Sequence, residues 1–400
     1  MKRYLILLIL SFFPLDAVFA QEVPAFIRKV WDLATSPNPK MDPEYIYQIA
    51  PHLSVSPRYT FSTTDVRLDS DLEFTDDESL SGKLALRFND PCHEAGIGVG
   101  YGPLALSLGM EIGKREDYSS SNSLRLFASR YGLQLRYSKV SESISGLLEL
   151  APESGIDPVD FTTLRPGKLK FISVDAYYSF NSKFTYNGAY GGKAIQKKSS
   201  GSPIIVGKFM LSDLRIDPHD MDVVSLLGDT GSFSEKQFSL GAGYSYNLVL
   251  LHRDPVSKFD GLKNLTFNLT AAPVMTMVDN VYASKYIYPE WEDVKQAYLD
   301  QRGYSSYDAG RDFDIVFDMY ANRCKDGEKQ KLKGHAQPNF IVRSGMLLAL
   351  NHFHVNIDVS YNMFHFDSGK MVADYSDNYT IRSKGNFSDW IASLKLYYRF

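Results

Sequence analysis

The chain has few of the residues from which most metal, redox and disulfide sites are built. It contains two cysteines, eight histidines and three tryptophans in 400 residues, with no Cys-x-x-Cys pair and no glycine-rich phosphate loop. Its net charge of −4, without a long basic run, gives no support to a nucleic-acid partner. We therefore predict no cofactor and no metal site. Cys92 and Cys324 lie in polar segments that are compatible with one disulfide or with two separate thiols.

Long hydrophobic runs are also missing beyond the N-terminus. Lys2 and Arg3 precede a short apolar stretch, and Val18-Phe19-Ala20 supplies small residues for cleavage, so residues 1–20 are predicted to be a signal peptide of an exported protein. After residue 20 no apolar run reaches the length of about 18 residues that a spanning helix needs. A helical membrane protein is excluded, which leaves a soluble exported protein or a β-barrel.

Strict alternation of apolar and polar residues favours the second of these two classes. At the C-terminus Trp390, Leu394 and Leu396 fall on one face, and Ser393 and Lys395 on the other. A lipid-facing apolar side opposite a wet polar side is typical of a transmembrane strand, although a soluble sheet also alternates. Residues 133–139, 171–180 and 353–363 repeat the pattern, and 26 Tyr with 25 Phe suit interfacial girdles.

We predict an all-β fold, a transmembrane antiparallel up-and-down β-barrel of 12 or 14 strands over residues 51–400. A periplasmic N-terminal extension over residues 21–50 precedes it, and residues 279–338 form a long extracellular loop with a short helix at 291–301. The tightest predicted turns, at 102–103, 130–132 and 351–352, fall on one side, as in outer-membrane barrels. Our direct count is thirteen strands, whereas a single-chain barrel with both ends in the periplasm needs an even number. We therefore expect one element between residues 63 and 90 to be miscounted, and the acidic Thr63–Leu80 is interpreted as a loop or a weak strand pair.

The polar faces supply candidate residues for the barrel lumen, and the C-terminus supplies a candidate assembly signal. Tyr398 and the terminal Phe400 resemble the signal by which outer-membrane barrels reach their assembly machinery. Expected partners are therefore outer-membrane lipid, lipopolysaccharide and the barrel-assembly machinery. The lumen-facing candidates are Arg136, Asp175, Asn356, Asp358, Lys395 and Arg399.

Three short stretches resemble a known family. They are Phe184-Thr185-Tyr186 with Gln196–Ser202, then Ser239–Asn247, and then Asn339–Gly345. They are similar to the domain of unknown function 4421 family of Bacteroidetes-type Gram-negative bacteria, over nearly the whole mature chain. The resemblance implies an outer-membrane barrel and no activity. It also suggests that Lys193–Gly201 folds into the barrel or touches a partner, whereas the residues alone favour a solvated turn.

Three function classes follow from a barrel with a polar lumen. A channel or porter for a small or oligomeric solute ranks first, nearly level with a plugged structural or surface-interaction barrel. A membrane-embedded hydrolase ranks lower: His354 and Asp358 share a polar face, but no Gly-x-Ser-x-Gly motif is present, so we predict no enzyme. The carboxylates at 217–222 could bind calcium, but we expect a solvated acidic loop. The lysines at 325–333 could bind lipopolysaccharide phosphates, but we expect a solvated loop there too.

Overall fold

Strands dominate the computed structural model, which describes residues 40–49, 52–74, 81–102, 104–113, 119–127, 130–190, 194–254, 263–333, 338–373 and 376–399. The predicted signal peptide and Phe400 lie outside these residues. None of the described helices is long and apolar enough to span a bilayer. The strands are β1 (Ile46–Gln48), β2 (Leu53–Phe74), β3 (Gly82–Tyr101), β4 (Leu104–Glu111), β5 (Ser120–Phe127), β6 (Tyr131–Glu142), β7 (Ile144–Leu150), β8 (Val159–Thr162), β9 (Gly167–Ser179), β10 (Ala194–Gln196), β11 (Ser200–Arg215), β12 (Thr230–Arg253), β13 (Lys263–Ile287), β14 (Lys325–Lys333), β15 (Pro338–Leu350), β16 (Phe353–Ala373) and β17 (Ser376–Arg399).

Twelve of these described strands close into one antiparallel barrel. Its wall follows the chain through β2, β3, β4, β5, β6, β9, β11, β12, β13, β15, β16 and β17, and β17 pairs with β2 to complete the ring. The predicted up-and-down barrel of 12 or 14 strands is therefore confirmed, with twelve strands. The count of thirteen was wrong because residues 83–88 and 95–101 belong to the single strand β3. The polar stretch between them looks like a loop, yet Asp90 and Cys92 point inward and are buried.

The two ends of the barrel differ. We call the end where β2 begins and β17 ends the terminal end, and the opposite end the loop end. The three tight turns predicted from the sequence all lie at the terminal end, and Asn351 makes the β15–β16 turn with a left-handed φ of 48°. At the loop end, β7 and β8 extend the wall beside β3, and β14 extends it beside β13.

An apolar belt surrounds the outside of the terminal half. On β12, exposed side chains alternate with buried Ser239, Ser245 and Asn247 of the inner face. Thirteen residues at about 3.4 Å each, tilted by about 40°, cover roughly 30 Å of height, enough for the about 25 Å apolar band of a membrane barrel. The outward residues of this stretch are Phe238, Leu240, Tyr244, Tyr246, Leu248 and Leu250.

The inner face changes from polar to apolar towards the loop end. On β2, inward Thr60 and Thr64 are followed by inward Val66 and Leu68, all of them buried. The outward side carries Asp65, which pairs with Arg67 at 3.2 Å and Arg87 at 3.0 Å. The acidic segment is strand from residue 63 through Phe74, so the predicted loop or weak strand pair was wrong there, and residues 75–80 lie outside the described part of the chain. Between residues 63 and 73 the acidic side chains face outward above the belt, and Val66, Leu68 and Leu72 form a core inside the barrel.

That interior core of the loop end, the apolar cluster, closes this half of the barrel. Buried residues from opposite walls meet in it, for example Phe171 and Phe387, whose ring centroids are 5.6 Å apart. The short helix α2 (Met221–Leu226), in the β11–β12 loop, adds Val223 and Val224. The loop end is therefore packed with side chains rather than filled with water.

The long excursion between β13 and β15 contains two helices. β13 continues through Ile287, so the segment predicted as loop from Asp279 begins as strand. Helix α3 (Trp291–Arg302) agrees with the predicted helix at 291–301, and α4 (Ala309–Asn322) follows it. Val294 and Tyr298 of α3 pack on Val316 of α4, so each helix buries its apolar side against the other.

Candidate functional site: the occluded lumen

The β9–β11 connection, which contains the family-like motif, turns back into the barrel. We call its buried part, residues 184–190 and 194–196, the internal segment; it includes the one-turn helix α1 (Asn187–Tyr190). Phe184, Tyr186 and Tyr190 are at most 4% exposed. The Tyr186 ring stacks on Tyr177 of the wall, with centroids 3.7 Å apart, and on Tyr190 at 5.1 Å. The segment therefore fills the lumen at the terminal end. The solvated turn that the residues alone favoured for Lys193–Gly201 was wrong for residues 194–196, which are buried, whereas Lys198 is exposed and Lys193 lies outside the described residues.

Inward asparagines of the wall bind the internal segment. Tyr190 donates its hydroxyl to Asn268 Oδ1 at 2.8 Å. Asn356 Nδ2 donates to the carbonyl of Ala189 at 2.8 Å, and Asn247 Nδ2 donates to the carbonyl of Thr185 at 2.7 Å. These amides satisfy backbone groups that would otherwise be buried without partners. The wall is therefore built to hold this segment.

A second layer closes the terminal end beneath it. Strand β1, from the N-terminal extension, pairs antiparallel with β10 of the internal segment. The side-chain amide of Gln196 donates to the carbonyls of Lys183 at 2.7 Å and Lys198 at 2.9 Å. Gly345 on the wall is also required, because a Cβ there would lie 2.4 Å from the Tyr190 ring. Backbone pairing and close packing together keep this end shut.

A buried charge cluster lies above the internal segment. Asp358, 3% exposed, accepts hydrogen bonds from Lys395 Nζ at 2.6 Å and from Ser393 Oγ at 3.1 Å. Arg125 Nη1 lies 3.4 Å and Arg343 Nη2 lies 3.6 Å from its carboxylate. One carboxylate thus faces three cations, two of them guanidiniums that stay charged at any physiological pH.

Three further lumen cations each have a carboxylate partner. Arg136 makes two contacts to Asp389, at 2.6 and 3.2 Å. Lys208 Nζ lies 3.1 Å from Asp175. Arg58 lies 3.6 Å from Glu94, and it also donates to the carbonyl of Ser121 at 2.9 Å. Among the charges that line the cavity and their direct partners, the excess of positive charge therefore lies around Asp358.

A cavity of about 80 Å³ lies between the two closed ends. The inward residues of β9 show its position: Phe171 belongs to the apolar cluster, Ser173 and Asp175 line the cavity, and Tyr177 contacts the internal segment. Ordinary sites for organic ligands have volumes of about 300–1,000 Å³. The cavity is therefore sized for a few waters or for one small group of atoms.

The structure brings most of the predicted lumen residues together. Arg136, Asp175 and Asp358 line the cavity, Lys395 binds Asp358, and Asn356 binds the internal segment. The side chain of Arg399 lies outside the described residues, as does Phe400. Tyr398 points outward, half exposed, with its ring 6.3 Å from the ring of His352.

Sequence reasoning missed four of the lumen cations. Arg58 and Arg125 lie on strands that were predicted, with inward positions that a period of two assigns correctly. Arg343 interrupts the most apolar window of the chain, which is itself a signal of a buried charge with a role. Lys208 lies on β11, and two partners on other strands explain its burial: Asp175 on β9, 3.1 Å from its Nζ, and Asn362 on β16, whose Oδ1 accepts from Nζ at 3.1 Å.

The weaker candidate sites have structural explanations. Asp217 binds the His219 ring at 2.6 Å, and the other imidazole nitrogen lies 3.0 Å from Asp318 of α4. Asp220 accepts backbone N–H groups of Leu164 and Arg165, and burial raises the pKa of this carboxyl. Within the described ranges no group of three metal-ligating side chains occurs. Cys92 and Cys324 are not joined by a disulfide, and burial raises the pKa of Cys324 to about 11.

Comparisons with solved structures return membrane barrels at low similarity. The outer-membrane protease OmpT of Escherichia coli aligns with 87% of this chain and 97% of its own, at 7% identity and a TM-score of 0.30. A Pseudomonas aeruginosa FadL homologue aligns with 87% of this chain and 90% of its own, at 9% identity and a TM-score of 0.20. The Pseudomonas putida toluene transporter TodX aligns with 92% of this chain and 92% of its own, at 9% identity and a TM-score of 0.19. At such values these likenesses carry no inference about activity. No curated protein matches the sequence.

A family model matches residues 89–257. This range contains the internal segment and the stretch Ser239–Asn247, but it excludes Asn339–Gly345. The match is therefore shorter than the nearly full-length resemblance predicted from the sequence. The family is described as Domain of unknown function (DUF4421), and the predicted resemblance of the chain to this family is thereby confirmed.

Proposed function

We propose that this protein is a plugged outer-membrane barrel with a structural or surface-interaction role. The observation that carries the proposal is the internal segment, which crosses the lumen and is bound to the wall on several sides. Tyr190 binds Asn268, and the backbone of Ala189 is bound by Asn356. A segment held by buried hydrogen bonds and stacked rings is stable in place, because displacing it would leave the buried polar groups of the wall without partners.

A passive channel, the first function predicted from the polar lumen, has less support. A solute would have to displace the internal segment at one end and the apolar cluster, including Phe171 and Phe387, at the other. The intervening cavity of about 80 Å³ is far too small for an oligomeric solute. A hydrolase also has little support, because Asp358 is held by Lys395 and Ser393 in a position to balance cations.

The proposal includes a location and an orientation. The apolar belt would contact outer-membrane lipid, with the terminal end in the periplasm and the loop end outside the cell. The loop end would then present α3, α4 and the lysines of β14 to lipopolysaccharide or to a protein partner. The barrel-assembly machinery would read Tyr398 and Phe400, and deletion of Phe400 is expected to lower the amount of folded barrel in the outer membrane.

Planar-bilayer conductance tests the plug. Purified wild-type protein, shown to be folded by a gel-mobility shift on boiling, is expected to give no steady conductance. The Tyr190→Phe variant serves as a matched control, because it keeps the stacked ring and should stay silent. Stable open-channel currents in the wild-type protein would overturn the proposal.

Thiol labelling tests the closure and the orientation in intact cells. In a background with Cys92→Ala and Cys324→Ala, a cysteine replaces either Ala189 of the internal segment, which is 0% exposed, or Leu164 of the loop end, which is 83% exposed. A membrane-impermeant maleimide is expected to label Leu164→Cys on cells and Ala189→Cys only after unfolding. Rapid labelling of Ala189→Cys would mean that the lumen is open.

A further inference from the structure

We infer that the lumen cavity is a binding site for a small inorganic oxyanion such as phosphate or sulfate. The inference goes beyond the plugged-barrel proposal and does not depend on it. It rests on three independent features of the cavity: its charge, its unpaired donors and its size.

The charge of the site favours an anion. Asp358 is the one carboxylate among Lys395, Arg125 and Arg343, whose nitrogens lie 2.6, 3.4 and 3.6 Å from its oxygens. The neighbouring pairs, such as Arg136 with Asp389, are already balanced and cannot neutralise the excess. An uncompensated buried charge is strongly unfavourable, so a further negative charge is expected close to the two guanidiniums.

The unpaired donors of the site point to the same ligand. The Nε–H groups of Arg58, Arg125 and Arg343 are buried and find no hydrogen-bond partner in the described part of the chain. The same holds for the hydroxyls of Thr60 and Ser123, and all five of these residues line the cavity. A guanidinium can only donate, so its partner must be an acceptor.

The carboxylates in the lining mark the side of the cavity that an anion would avoid. Asp175 lies 3.1 Å from Lys208, and Asp358 is held by Lys395 and Ser393. Both are negatively charged and lie beside a cation of their own, and Asp175 Oδ1 makes no hydrogen bond within the described residues. The acceptor site therefore lies towards Arg58, Arg125 and the two hydroxyls.

The size of the cavity limits which acceptor molecules could bind in it. About 80 Å³ has room for several waters, or for one tetrahedral oxyanion with four acceptor oxygens. Waters alone would satisfy the donors but would leave the excess charge in place. A lipid headgroup with its acyl chains, or an organic solute, is too large.

The closed ends determine how binding must be measured. The Tyr190 ring lies 4.2 Å from the Arg343 guanidinium and covers the site from the terminal end. An anion supplied during folding reaches the site without any opening of the barrel. The protein is therefore unfolded in urea and refolded into detergent in sodium phosphate, or in sodium chloride of equal ionic strength.

The first measurement compares the temperature at which each sample loses its fast-migrating, folded gel band. The test variant is Thr60→Val with Ser123→Ala, which removes two unpaired hydroxyls and is expected to weaken phosphate binding by about tenfold. The matched control is Ser239→Ala, a buried lumen hydroxyl outside the cavity, whose partner is Thr276 at 3.2 Å. Phosphate strengthens folding in general, so the test is the difference between the double variant and Ser239→Ala, which loses a buried hydroxyl but keeps the cavity.

We expect phosphate to raise this temperature in the wild type and in Ser239→Ala, and to raise it much less in the double variant. An equal rise in all three proteins would overturn the inference, as would no rise in the wild type. A second measurement uses the wild-type barrel, after slow labelling of the Ala189→Cys variant has shown that the lumen is closed. Refolded with radiolabelled phosphate and passed through a desalting column, it is expected to retain about one label per chain, and retention at background in this closed barrel would also overturn the inference.

Discussion

Replacing Asp358 by asparagine tests the electrostatics of the lumen most directly. The side chain keeps its shape and one acceptor oxygen but loses its charge. Lys395, Arg125 and Arg343 then stay buried within about 4 Å of an uncharged group. Removing one partner of a buried ion pair costs about 3–5 kcal/mol, and the retained acceptor places Asp358→Asn near the lower value. A loss of about 3 kcal/mol corresponds to a folding equilibrium constant about a hundredfold smaller.

The free energy of unfolding is measured by urea titration in liposomes, followed by loss of the folded gel band. The matched control is Asp65→Asn on the outer surface of the loop end. Asp65 also touches two arginines, Arg67 and Arg87, but these are about half exposed. Surface pairs contribute about 0–1 kcal/mol, so this control should remain close to wild type.

A second variant determines whether charge is the cause. Adding Lys395→Met to Asp358→Asn removes one of the unbalanced cations and should recover more than about 1 kcal/mol of the loss. An equal loss of unfolding free energy in Asp358→Asn and Asp65→Asn would refute the assignment of an excess positive charge. So would a double variant whose loss equals the sum of the losses in Asp358→Asn and Lys395→Met alone.

Three further predictions concern other parts of the barrel. Leu394→Lys, in the middle of the apolar belt, should cost about 2–4 kcal/mol in liposomes, and Ser388→Lys near its upper edge about 0–1 kcal/mol. Tyr190→Ala should cost about 3–5 kcal/mol, whereas Tyr190→Phe should lose only the bond to Asn268, about 1 kcal/mol. The hydrogen bonds from Arg311 hold the pKa of Asp312 well below its usual value. The ionised Asp312 carboxylate therefore stabilises α4 above about pH 4, and this stabilisation is lost as the pH falls from there towards the lowered pKa. Over that pH range, pepsin should cut between α3 and α4 more readily.

Each of these has a clear contrary result. Equal costs for Leu394→Lys and Ser388→Lys would mean that β17 does not cross a bilayer at Leu394. Equal stability of the two Tyr190 variants would mean that its ring does not pack in the lumen. If pepsin cut Asp312→Asn with the same pH dependence as the wild type, the carboxylate would not be the group responsible.

The sequence predicted the parts of the fold on which the membrane imposes a period of two. On β16 and β17 lipid demands apolar residues outside, and the lumen takes polar ones, so Leu394 and Lys395 could be assigned to opposite faces before any coordinates. The rule fails on β2 beyond Thr64. There the solvent lies outside and the apolar cluster lies inside, so the same alternation has the opposite meaning, and Asp65 with Arg67 looked like a loop.

The candidate site was predictable only in part for a related reason. Residues that complete the lumen from within have no periodicity, and nothing local distinguishes buried Tyr186 and Tyr190 from the same residues in a turn. Their burial depends on asparagines on strands far away in the chain, such as Asn268 and Asn356. The balance of charge is likewise a property of several strands together, and no single strand shows that Asp358 faces three cations.

The change of inner polarity along β2 also fixes the register of the barrel wall. A slip of two residues between neighbouring strands keeps every side chain on its own face, so alternation alone cannot prevent it. Such a slip would carry Asp65 and its arginines about 7 Å towards the hydrocarbon and push apolar residues from the core into the charged cavity. Both displacements oppose the slip, so the register of the wall and the height of the apolar belt are fixed together. A bilayer that is thicker or thinner than the belt must therefore adapt to it, by compressing or stretching close to the barrel.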